Sequence, residues 1–527
     1  MASMAGHVFV VKSDLRKLSC DAWLMPCGPD ARPEPGWTVE NPAFEPPPPP
    51  PGWDREERRA FRVPGWPADS PAPWLVNVGG HEGQAIGWYV RGAAEFLERA
   101  ASALRGRPAR LARAKTLLAL PIVGTGGGGA KRAAGEVVRE LLPALHQATV
   151  THDVDVALVA QEEAPFTAAQ AERSRATHLD PWRELDERRE REAVRLADHA
   201  ARGRLVLFIG GGVSRGAGLP LWDEMLEHLA MGAGMPDDER QALAELDPVD
   251  RARVIEKRLK GQSLADAVVE MFRHVRHHAI SHALLAALPV EEIVTTNYDL
   301  LFEQASNAAG VPVRILPRQP GPEERRWVLK MHGSIEHPED LVLTREDYLR
   351  YEEQRAALSG IVQALLITRH MLFVGFALRD ENFHRIADAV RRAVRAQPDA
   401  TGRSDKFGTV LALLDNPLHQ ELWEEDLYWT AMEPLVPEAE REMAETEAAR
   451  RLEIFLDRVL AKTSSAGHLL HQSYGTLLSD PERSLARALA KFTEELPEDA
   501  TRAPAWERVK QLLISLGWDE RARMPLT

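Results

Sequence analysis

The chain has 527 residues, of which 44% are hydrophobic and 27% are charged, a balance typical of globular proteins. Its length predicts roughly two to four domains, and no apolar run approaches the ~18 residues that span a bilayer. A net charge of −14 excludes a general electrostatic attraction to nucleic acid or to anionic membranes. The N-terminus lacks the pattern of a secretory signal, so we expect a cytoplasmic protein.

The first block, residues 1–172, alternates strand-like and helix-like segments, which predicts a layered α/β domain. A polyproline run at residues 46–51 interrupts it and is expected to be an extended surface excursion. The predicted strands are 8–11, 22–26, 74–78, 116–123 and 154–160, and the predicted helices are 83–105 and 130–147.

A charged segment, residues 173–203, follows this block. Asp180 and Pro181 have the character of a helix cap and a first helical residue, and the mixed charges after them predict a solvated connecting helix. A second α/β block covers residues 204–462. The remainder, residues 463–527, is helical in pattern and carries no recognisable chemistry.

The second block opens with an apolar strand that ends at Ile209 and runs into the glycine-rich turn Gly210, Gly211, Gly212, Val213, Ser214. Such a turn before a helix lets backbone amides meet a diphosphate. The same glycines could instead permit tight packing of the strand against the helix. Taken alone, the turn leaves both interpretations open.

Three further strands of this block also end in polar or glycine-rich clusters. These clusters are "TTNYD" at residues 295–299, "HGS" at residues 332–334, and "GFALRDEN" at residues 375–382. The carboxyl ends of parallel strands share one edge of a sheet, where α/β folds open to ligands. Individually, the Asn-Tyr-Asp stretch could be plain turn chemistry, the histidine could be structural, and Asp380 could cap the next helix.

Together, "GGGVSRGAGLP", "TTNYD", "KMHGS" and "FVGFALRDENF" resemble, in order and spacing, the sirtuin-like NAD-consuming domains of bacterial antiphage defence. The resemblance covers about 250 residues and implies a Rossmann-like parallel sheet that binds NAD as a substrate. Glycine at 211 and alanine at 377 depart from the usual alanine and serine. The NAD-binding residues that it implies are Gly210, Gly211, Gly212, Ser214, Thr296, Ser334, Gly375, Phe376 and Asp380.

The reaction implied is cleavage of the bond between nicotinamide and ribose, which gives nicotinamide and ADP-ribose. Nicotinamide leaves as a neutral molecule, so the chemistry needs a base and polar orienting groups but no general acid. His332 is expected to act as the base. Asn297 is expected to orient the water or hold the substrate, and Asp299 either steadies positive charge or orients Asn297 and its loop.

The only cysteines, Cys20 and Cys27, lie in the first block, so the second block cannot hold the four-cysteine zinc module of sirtuin deacylases. We therefore expect no zinc, and an NAD hydrolase that depletes NAD during phage defence. The alternatives are a protein deacylase or ADP-ribosyltransferase and a non-catalytic nucleotide sensor. The resemblance also implies a homo-oligomer and a partner protein of the defence system.

The first block also resembles, more loosely, the macro family of ADP-ribose-binding domains, on "SDLRKLSCDAWLMPCG" and "LPIVGTGGGGAKRAAGE". It lacks the usual asparagine pair after the second strand, where Met25 to Gly28 stand. A regulatory ADP-ribose-like nucleotide at Gly124, Gly126, Gly127 and Gly128 and a degenerate structural domain both remain open.

Three histidines, His274, His278 and His282, recur at a spacing of four residues. This spacing could place metal ligands on one helix face. No cysteine or carboxylate nearby completes such a site, so an ordinary amphipathic helix is favoured.

Overall fold

The computed structural model describes residues 5–39, 44–53, 58–67, 70–321, 324–395, 406–497 and 499–519. The chain divides into two compact units. The first unit is Met1–Leu185 together with Leu460–Thr527, and the second is Asp186–Val459.

Strands and helices alternate along most of the chain. The strands are β1 Val8–Lys12, β2 Ala22–Cys27, β3 Ala60–Arg62, β4 Ala72–Asn77, β5 Leu117–Pro121, β6 Asp155–Ala160, β7 Leu205–Ile209, β8 Glu292–Thr295, β9 Arg314–Leu316, β10 Trp327–Lys330, β11 His370–Val374, β12 Gly408–Leu414 and β13 Leu427–Glu433. The helices are α1 Ile86–Leu104, α2 Ala134–His152, α3 Glu163–Arg175, α4 Glu187–Ala201, α5 Gly212–Arg215, α6 Trp222–Gly232, α7 Asp237–Ala244, α8 Pro248–Arg258, α9 Leu264–Phe272, α10 Ile280–Ala287, α11 Leu301–Ala308, α12 Arg345–Thr368, α13 Glu381–Arg395, α14 Pro417–Trp423, α15 Arg441–Thr463, α16 Asp480–Glu495 and α17 Trp506–Ser515.

The first unit is built on a six-stranded sheet in the order β1-β6-β5-β2-β4-β3, parallel except for the short strand β3. All five strands and both helices predicted for residues 1–172 are present at nearly the predicted positions. The strands are almost continuously apolar and fully buried, as expected for parallel strands covered by helices on both faces. The predicted α/β class is therefore confirmed.

Residues after 460 pack within this first unit. A Cβ atom added to Gly135, in the first turn of α2, would lie 2.8 Å from Thr476 Oγ1 and 3.2 Å from the main-chain oxygen of Ser473. Arg175 of α3 donates to the main-chain oxygen of Leu477 and pairs with Glu482. The C-terminal segment therefore lies against the amino-terminal end of α2.

The predicted helix start at Asp180 and Pro181 is wrong. Asp180 adopts a positive φ of 41° and ends a short turn, and α4 begins only at Glu187. Asp186 caps α4, since its side chain accepts a hydrogen bond from the main-chain nitrogen of Arg189 at 2.8 Å. The helix is also not fully solvated, because Leu196 and its alanine neighbours are buried.

The second unit contains a seven-stranded, fully parallel sheet in the order β13-β12-β11-β7-β8-β10-β9. Phe208, Val294, Leu329 and Phe373 of the four central strands are fully buried in its core. The central strands β11, β7, β8 and β10 are the four that precede the sequence motifs. Their carboxyl ends are therefore neighbours along one edge of the sheet.

Within the described residues, no helix combines the length and the apolar character that crossing a membrane requires.

Candidate functional site

The glycines after β7 serve two different purposes. Gly212 donates from its main-chain nitrogen to the Gly375 oxygen at 2.9 Å, and a Cβ on Gly210 would lie 2.4 Å from that oxygen. Gly375 has a positive φ of 64° and meets the same turn from the other side. These three glycines allow two loops to pack backbone against backbone. Gly211, in contrast, is exposed, and a Cβ added to it would have no neighbouring atom within 4 Å, so its backbone is open to a ligand.

Ser214 is the centre of a buried hydrogen-bond cluster. Its hydroxyl donates to Oδ2 of Asp299 at 2.8 Å and accepts from Nδ2 of Asn297 at 3.1 Å. Nε2 of His282 lies 3.3 Å away, and its Nδ1 accepts from the main-chain nitrogen of Ala279. This places the imidazole proton on Nε2, where it donates to Ser214. One donated and two accepted bonds use the full capacity of the hydroxyl.

Burial lowers the pKa of His282 to about 4, against a smaller opposing effect of the Asp299 carboxylate. The imidazole is therefore neutral near pH 7. A neutral ring is what the cluster requires, because Nδ1 must keep its lone pair to accept from Ala279. Ser214 is accordingly occupied by protein partners and positions its neighbours.

Asn297 is held by its amide nitrogen. Nδ2 donates both to Ser214 and to the main-chain oxygen of Gly210 at 3.2 Å. The main-chain nitrogen of Asn297 donates to Oγ1 of Thr295, which itself donates to Ile209. No donor from the described part of the chain meets Oδ1. The half-buried amide is thus fixed with its carbonyl oxygen free to accept a hydrogen bond.

Asp299 is buried and supports the loop. Its Oδ1 accepts from the main-chain nitrogen of Leu301 at 2.9 Å, at the start of α11. Its main-chain oxygen accepts from Nζ of Lys330, which also pairs with Glu303 at 2.9 Å. Burial raises the pKa of Glu303 despite the opposing charge of Lys330. Of the two roles predicted for Asp299, this arrangement supports orientation of Asn297 and its loop.

His332 lies two residues beyond the end of β10 and is buried. Oδ2 of Asp380 is 3.4 Å from its Nε2, and the Tyr348 hydroxyl donates to the same oxygen at 3.0 Å. Burial lowers the pKa of His332, Asp380 opposes this shift, and Arg355 reinforces it. A proton on Nε2 faces the carboxylate, which leaves Nδ1 as the basic atom. Nδ1 meets no partner among the described residues.

Of the two roles that the sequence left open for Asp380, helix capping is observed, and its second carboxylate oxygen contacts His332. Its Oδ1 accepts from the main-chain nitrogen of Phe383 at 2.8 Å and caps α13, while Oδ2 faces His332. Nδ2 of Asn382 is 3.5 Å from the same imidazole nitrogen. Asp380 therefore acts on the site through its contact with His332.

The sheet register places His332 and Asn297 at equivalent positions beyond two neighbouring strands. Lys330 of β10 pairs with Thr295 of β8, and the main-chain nitrogen of Met331 donates to the Thr295 oxygen at 2.9 Å. Two residues beyond this pair on each strand come His332 and Asn297. Since neighbouring strands are ~4.8 Å apart, the two residues leave the sheet at the same place.

Of the remaining predicted residues, some lie at this edge of the sheet, and others line a separate cavity or pack in the core. Thr296 is half-buried beside Asn297. Ser334 is buried and lines a separate cavity of about 370 Å³ with Arg318 and Leu358. Phe376 packs in an aromatic cluster with its ring centroid 4.5 Å from that of Phe208, so its side chain serves the core.

Two residues at the site were not among the predicted site residues. His282 lies 68 residues from Ser214, and Arg355 lies on α12, where it donates to the main-chain oxygen of Met331 at 2.6 Å and to that of Asp340. Neither belongs to a local motif. The prediction of one amphipathic helix for His274, His278 and His282 is wrong, because α9 ends at Phe272 and α10 begins at Ile280.

The first unit contains a cavity of about 980 Å³ at the carboxyl ends of its parallel strands. Gly124 and Gly128 pack tightly, against the Tyr89 ring and against Gly124 respectively. Gly126 and Gly127 are exposed and line the cavity. The glycine loop thus has a packing half, Gly124 and Gly128, and an open half, Gly126 and Gly127, where the exposed Glu34 carboxylate lies against Gly127.

Within the described ranges, no group of three or more His, Cys, Asp or Glu side chains is arranged to hold a metal ion.

Comparison with known proteins identifies part of the second unit. Residues 291–431 match the family model described as a SIR2-like domain. The second unit carries a SIR2-like domain. The predicted resemblance to sirtuin-like proteins is therefore confirmed for this region, which contains Asn297, His332 and the late glycine motif.

Curated relatives of the chain come from several bacteria. The chain is 29% identical over 209 residues to an NAD(+) hydrolase ThsA of Enterococcus faecium, covering 38% of this chain and 43% of the relative. It is 29% identical over 194 residues to the ThsA of Bacillus cereus (strain MSX-D12), with 36% and 40% covered. It is 27% identical over 209 residues to defense-associated sirtuin 2 of Bacillus subtilis, with 37% and 20% covered. The chain thus spans less than half the length of these relatives.

Proposed function

We propose that the second unit hydrolyses NAD at the bond between nicotinamide and ribose. The observation that carries this proposal is the arrangement at adjacent strand ends: the Asn297 amide is fixed with a free carbonyl oxygen, and the His332 imidazole is neutral. The names of the relatives, NAD(+) hydrolases and a defence-associated sirtuin, support the same chemistry.

The chemical demand of this reaction matches the groups present. Bond cleavage releases neutral nicotinamide and leaves positive charge on the ribose, so the site must stabilise a cation and supply a nucleophile. The free Oδ1 of Asn297 presents a partial negative charge without the desolvation cost of a buried carboxylate. It can accept a hydrogen bond from the attacking water and so direct the water's lone pair at the sugar.

His332 then serves as the base. Its lowered pKa keeps Nδ1 unprotonated near pH 7, and Asp380 stabilises the imidazolium that forms when the ring takes a proton from water or from a ribose hydroxyl. The oxygen of the deprotonated water forms a bond to the ribose carbon, and nicotinamide leaves with the electrons of the broken bond. The products are nicotinamide and ADP-ribose. We assign the phosphates of the dinucleotide to the turn at Gly211, because this glycine is exposed and has open space around it.

Nicotinamide release by the purified full chain tests this proposal. We expect His332→Ala and Asn297→Ala to lower kcat about 10²- to 10⁴-fold, which is the usual contribution of a base or a polar orienting group. His274→Ala, an exposed histidine outside the site, is the matched control. Turnover at the wild-type rate in both site variants would refute the assignment. Because we propose below that the activity awaits a trigger, the assay is run both with and without phage components. Absence of turnover under both conditions would favour a non-catalytic nucleotide sensor, and dependence on an acyl-lysine peptide would favour a deacylase.

The biological role we propose is NAD depletion during phage defence in the cytoplasm, restrained until a trigger acts. An unrestrained NAD hydrolase would exhaust the NAD of its host, so the activity requires control by homo-oligomerisation, by a partner protein or by the first unit. The cavity of the first unit supports the last of these, as a site for an ADP-ribose-like nucleotide at Gly124, Gly126, Gly127 and Gly128. Its volume is in the range of small-ligand sites.

A further inference from the structure

The cavity of the first unit has a wall that no strand of its sheet provides. Residues after β1, β2, β4, β5 and β6 form most of the lining, as in α/β folds that bind ligands at the carboxyl edge of the sheet. The remaining lining residues are His471, Ser473 and Tyr474, which lie more than 300 positions further along the chain. The C-terminal segment therefore contributes to a site whose glycine loop lies near residue 126.

The C-terminal segment that forms this wall packs closely against helices of the first unit. Gly135 leaves no space for a Cβ against Thr476, Leu477 and Ser473, which fixes the segment on the first turn of α2. Arg139 donates to the main-chain oxygen of Thr476. Two helices thus hold the segment, because Arg175 of α3 holds its far end. The same first turn of α2 follows the glycine loop, so the wall and the loop are adjacent.

Tyr474 supplies an unused hydrogen-bonding group at the cavity. The residue is only 3% exposed, yet no partner for its hydroxyl exists in the described part of the chain. Burial raises the pKa of this hydroxyl, so it is a protonated donor at neutral pH. The hydroxyl of a buried tyrosine, without a protein partner and at the surface of a cavity, is suited to bind a ligand oxygen.

His471 supplies a second donor. Its Nδ1 accepts from the main-chain nitrogen of Ser473 at 3.3 Å, which leaves the proton on Nε2. Burial lowers its pKa, with Glu162 opposing and Lys131 reinforcing the shift, so the ring is neutral near pH 7. The rings of His471 and Tyr474 lie 5.2 Å apart. Two neutral donors on aromatic rings fit the hydroxyls and bridging oxygens of a sugar nucleotide.

We propose that residues 471–474 form the second half of the nucleotide site in the first unit, with Tyr474 and His471 donating hydrogen bonds to an ADP-ribose-type ligand at the glycine loop. This inference rests on the ligand class proposed for the cavity, and not on catalysis by the second unit. It assigns a function to a C-terminal segment whose sequence shows no motif. A nucleotide held between loop and wall also couples ligand binding to docking of residues 471–482 on the first unit.

Calorimetric titration of ADP-ribose into the full chain tests the inference. Tyr474→Phe removes one oxygen and keeps the packing, and we expect it to weaken binding about 3- to 10-fold, the usual value of one hydrogen bond. Tyr428→Phe, the same change in the second unit, is the matched control. Gly135→Leu displaces the wall from α2, and we expect it to abolish binding. His471→Ala should weaken binding as Tyr474→Phe does.

Unchanged affinity in both Tyr474→Phe and His471→Ala would overturn the inference, as would a wild-type chain that takes up no ADP-ribose. If ADP-ribose bound only in the second unit, its affinity would be unchanged in both variants. Nicotinamide release is measured on the same preparations. Binding that depends on Tyr474, together with no NAD cleavage either with or without phage components, would refute the proposed catalysis alone. Cleavage without such binding would refute this inference alone.

Discussion

The hydroxyl of Ser214 donates to the carboxylate of Asp299 at 2.8 Å although 85 positions separate the two residues. This bond joins the glycine turn after β7 to the polar loop after β8. Asn297 and His282 complete the cluster, so four side chains from three loops or helices share one buried oxygen. The Asn297 amide has one orientation because the serine oxygen accepts from it.

We therefore expect Ser214→Ala to disorder the site, although the serine hydroxyl has no hydrogen bond left to give to a substrate. Loss of the oxygen leaves Nδ2 of Asn297 and Nε2 of His282 short of an acceptor and Asp299 short of a donor. We expect kcat for nicotinamide release to fall about 10- to 100-fold, and the unfolding free energy of the second unit to fall by about 1–3 kcal/mol. Ser281→Ala, a buried serine with one long hydrogen bond, is the control. Wild-type kcat in Ser214→Ala would show that the cluster does not orient Asn297.

The sequence predicted the strands that form the edge of the sheet better than it predicted the hydrogen-bond cluster around Ser214. The alternation of apolar strands and glycine-rich ends predicted β7, β8, β10 and β11, because strand periodicity and turn chemistry are local properties. His282 could not be found in this way. Its partner is far away in sequence, and its four-residue spacing from other histidines indicated a single helix that the break between α9 and α10 excludes.

The glycines illustrate a second limit. A sequence shows that residues 210, 211 and 212 need no side chain, and the structure shows why they differ. Gly210 and Gly212 have no room for a side chain because the main chain of Gly375 lies against them. Gly211 has open space around it. The pairing of loops that makes this distinction is tertiary, so composition alone left ligand binding and packing equally open.

The charge of Asp380 is expected to set the acidic limb of the pH–rate profile. Its carboxylate raises the pKa of His332 against the lowering effects of burial and Arg355, and Tyr348 and Asn382 are the uncharged groups facing the pair. Asp380→Asn keeps an oxygen able to cap α13 and removes the charge. The pKa of His332 then falls, so the base stays unprotonated to lower pH and the acidic limb moves to lower pH. The measurement is kcat against pH.

Arg355→Gln is the companion variant because its charge acts with the opposite sign. Removing the guanidinium raises the pKa of His332, so the acidic limb moves to higher pH. The variant also loses the bond to Met331, which should lower kcat at all pH values. A merely structural effect would lower kcat in both variants without moving the limb. Shifts in the same direction for both would contradict His332 as the base.

The buried pair of Lys330 and Glu303 is expected to stabilise the loop that carries Asn297. Lys330→Met leaves the Glu303 carboxyl buried without its partner and removes a donor from the Asp299 oxygen. We expect a loss of about 3–5 kcal/mol in the unfolding free energy of the second unit, measured by urea denaturation. Adding Glu303→Leu should restore part of that loss, since no unpaired carboxyl remains. Arg202→Ala breaks an exposed pair with Asp198 and should cost less than about 1 kcal/mol.

Glu34 is expected to oppose anion binding at the glycine loop of the first unit. A Cβ on Gly127 would lie 1.9 Å from Oε1 of Glu34, so the carboxylate occupies the open half of the loop. The side chain is exposed and can swing away, but its negative charge remains near the phosphates of a nucleotide. Glu34→Gln should strengthen ADP-ribose binding about 2- to 5-fold at low salt, with a smaller gain at high salt because exposed charges are screened. Glu140→Gln, an exposed glutamate further along α2, controls for net charge. Equal affinity in both variants and the wild type would mean that the ligand's phosphates do not lie at Gly127.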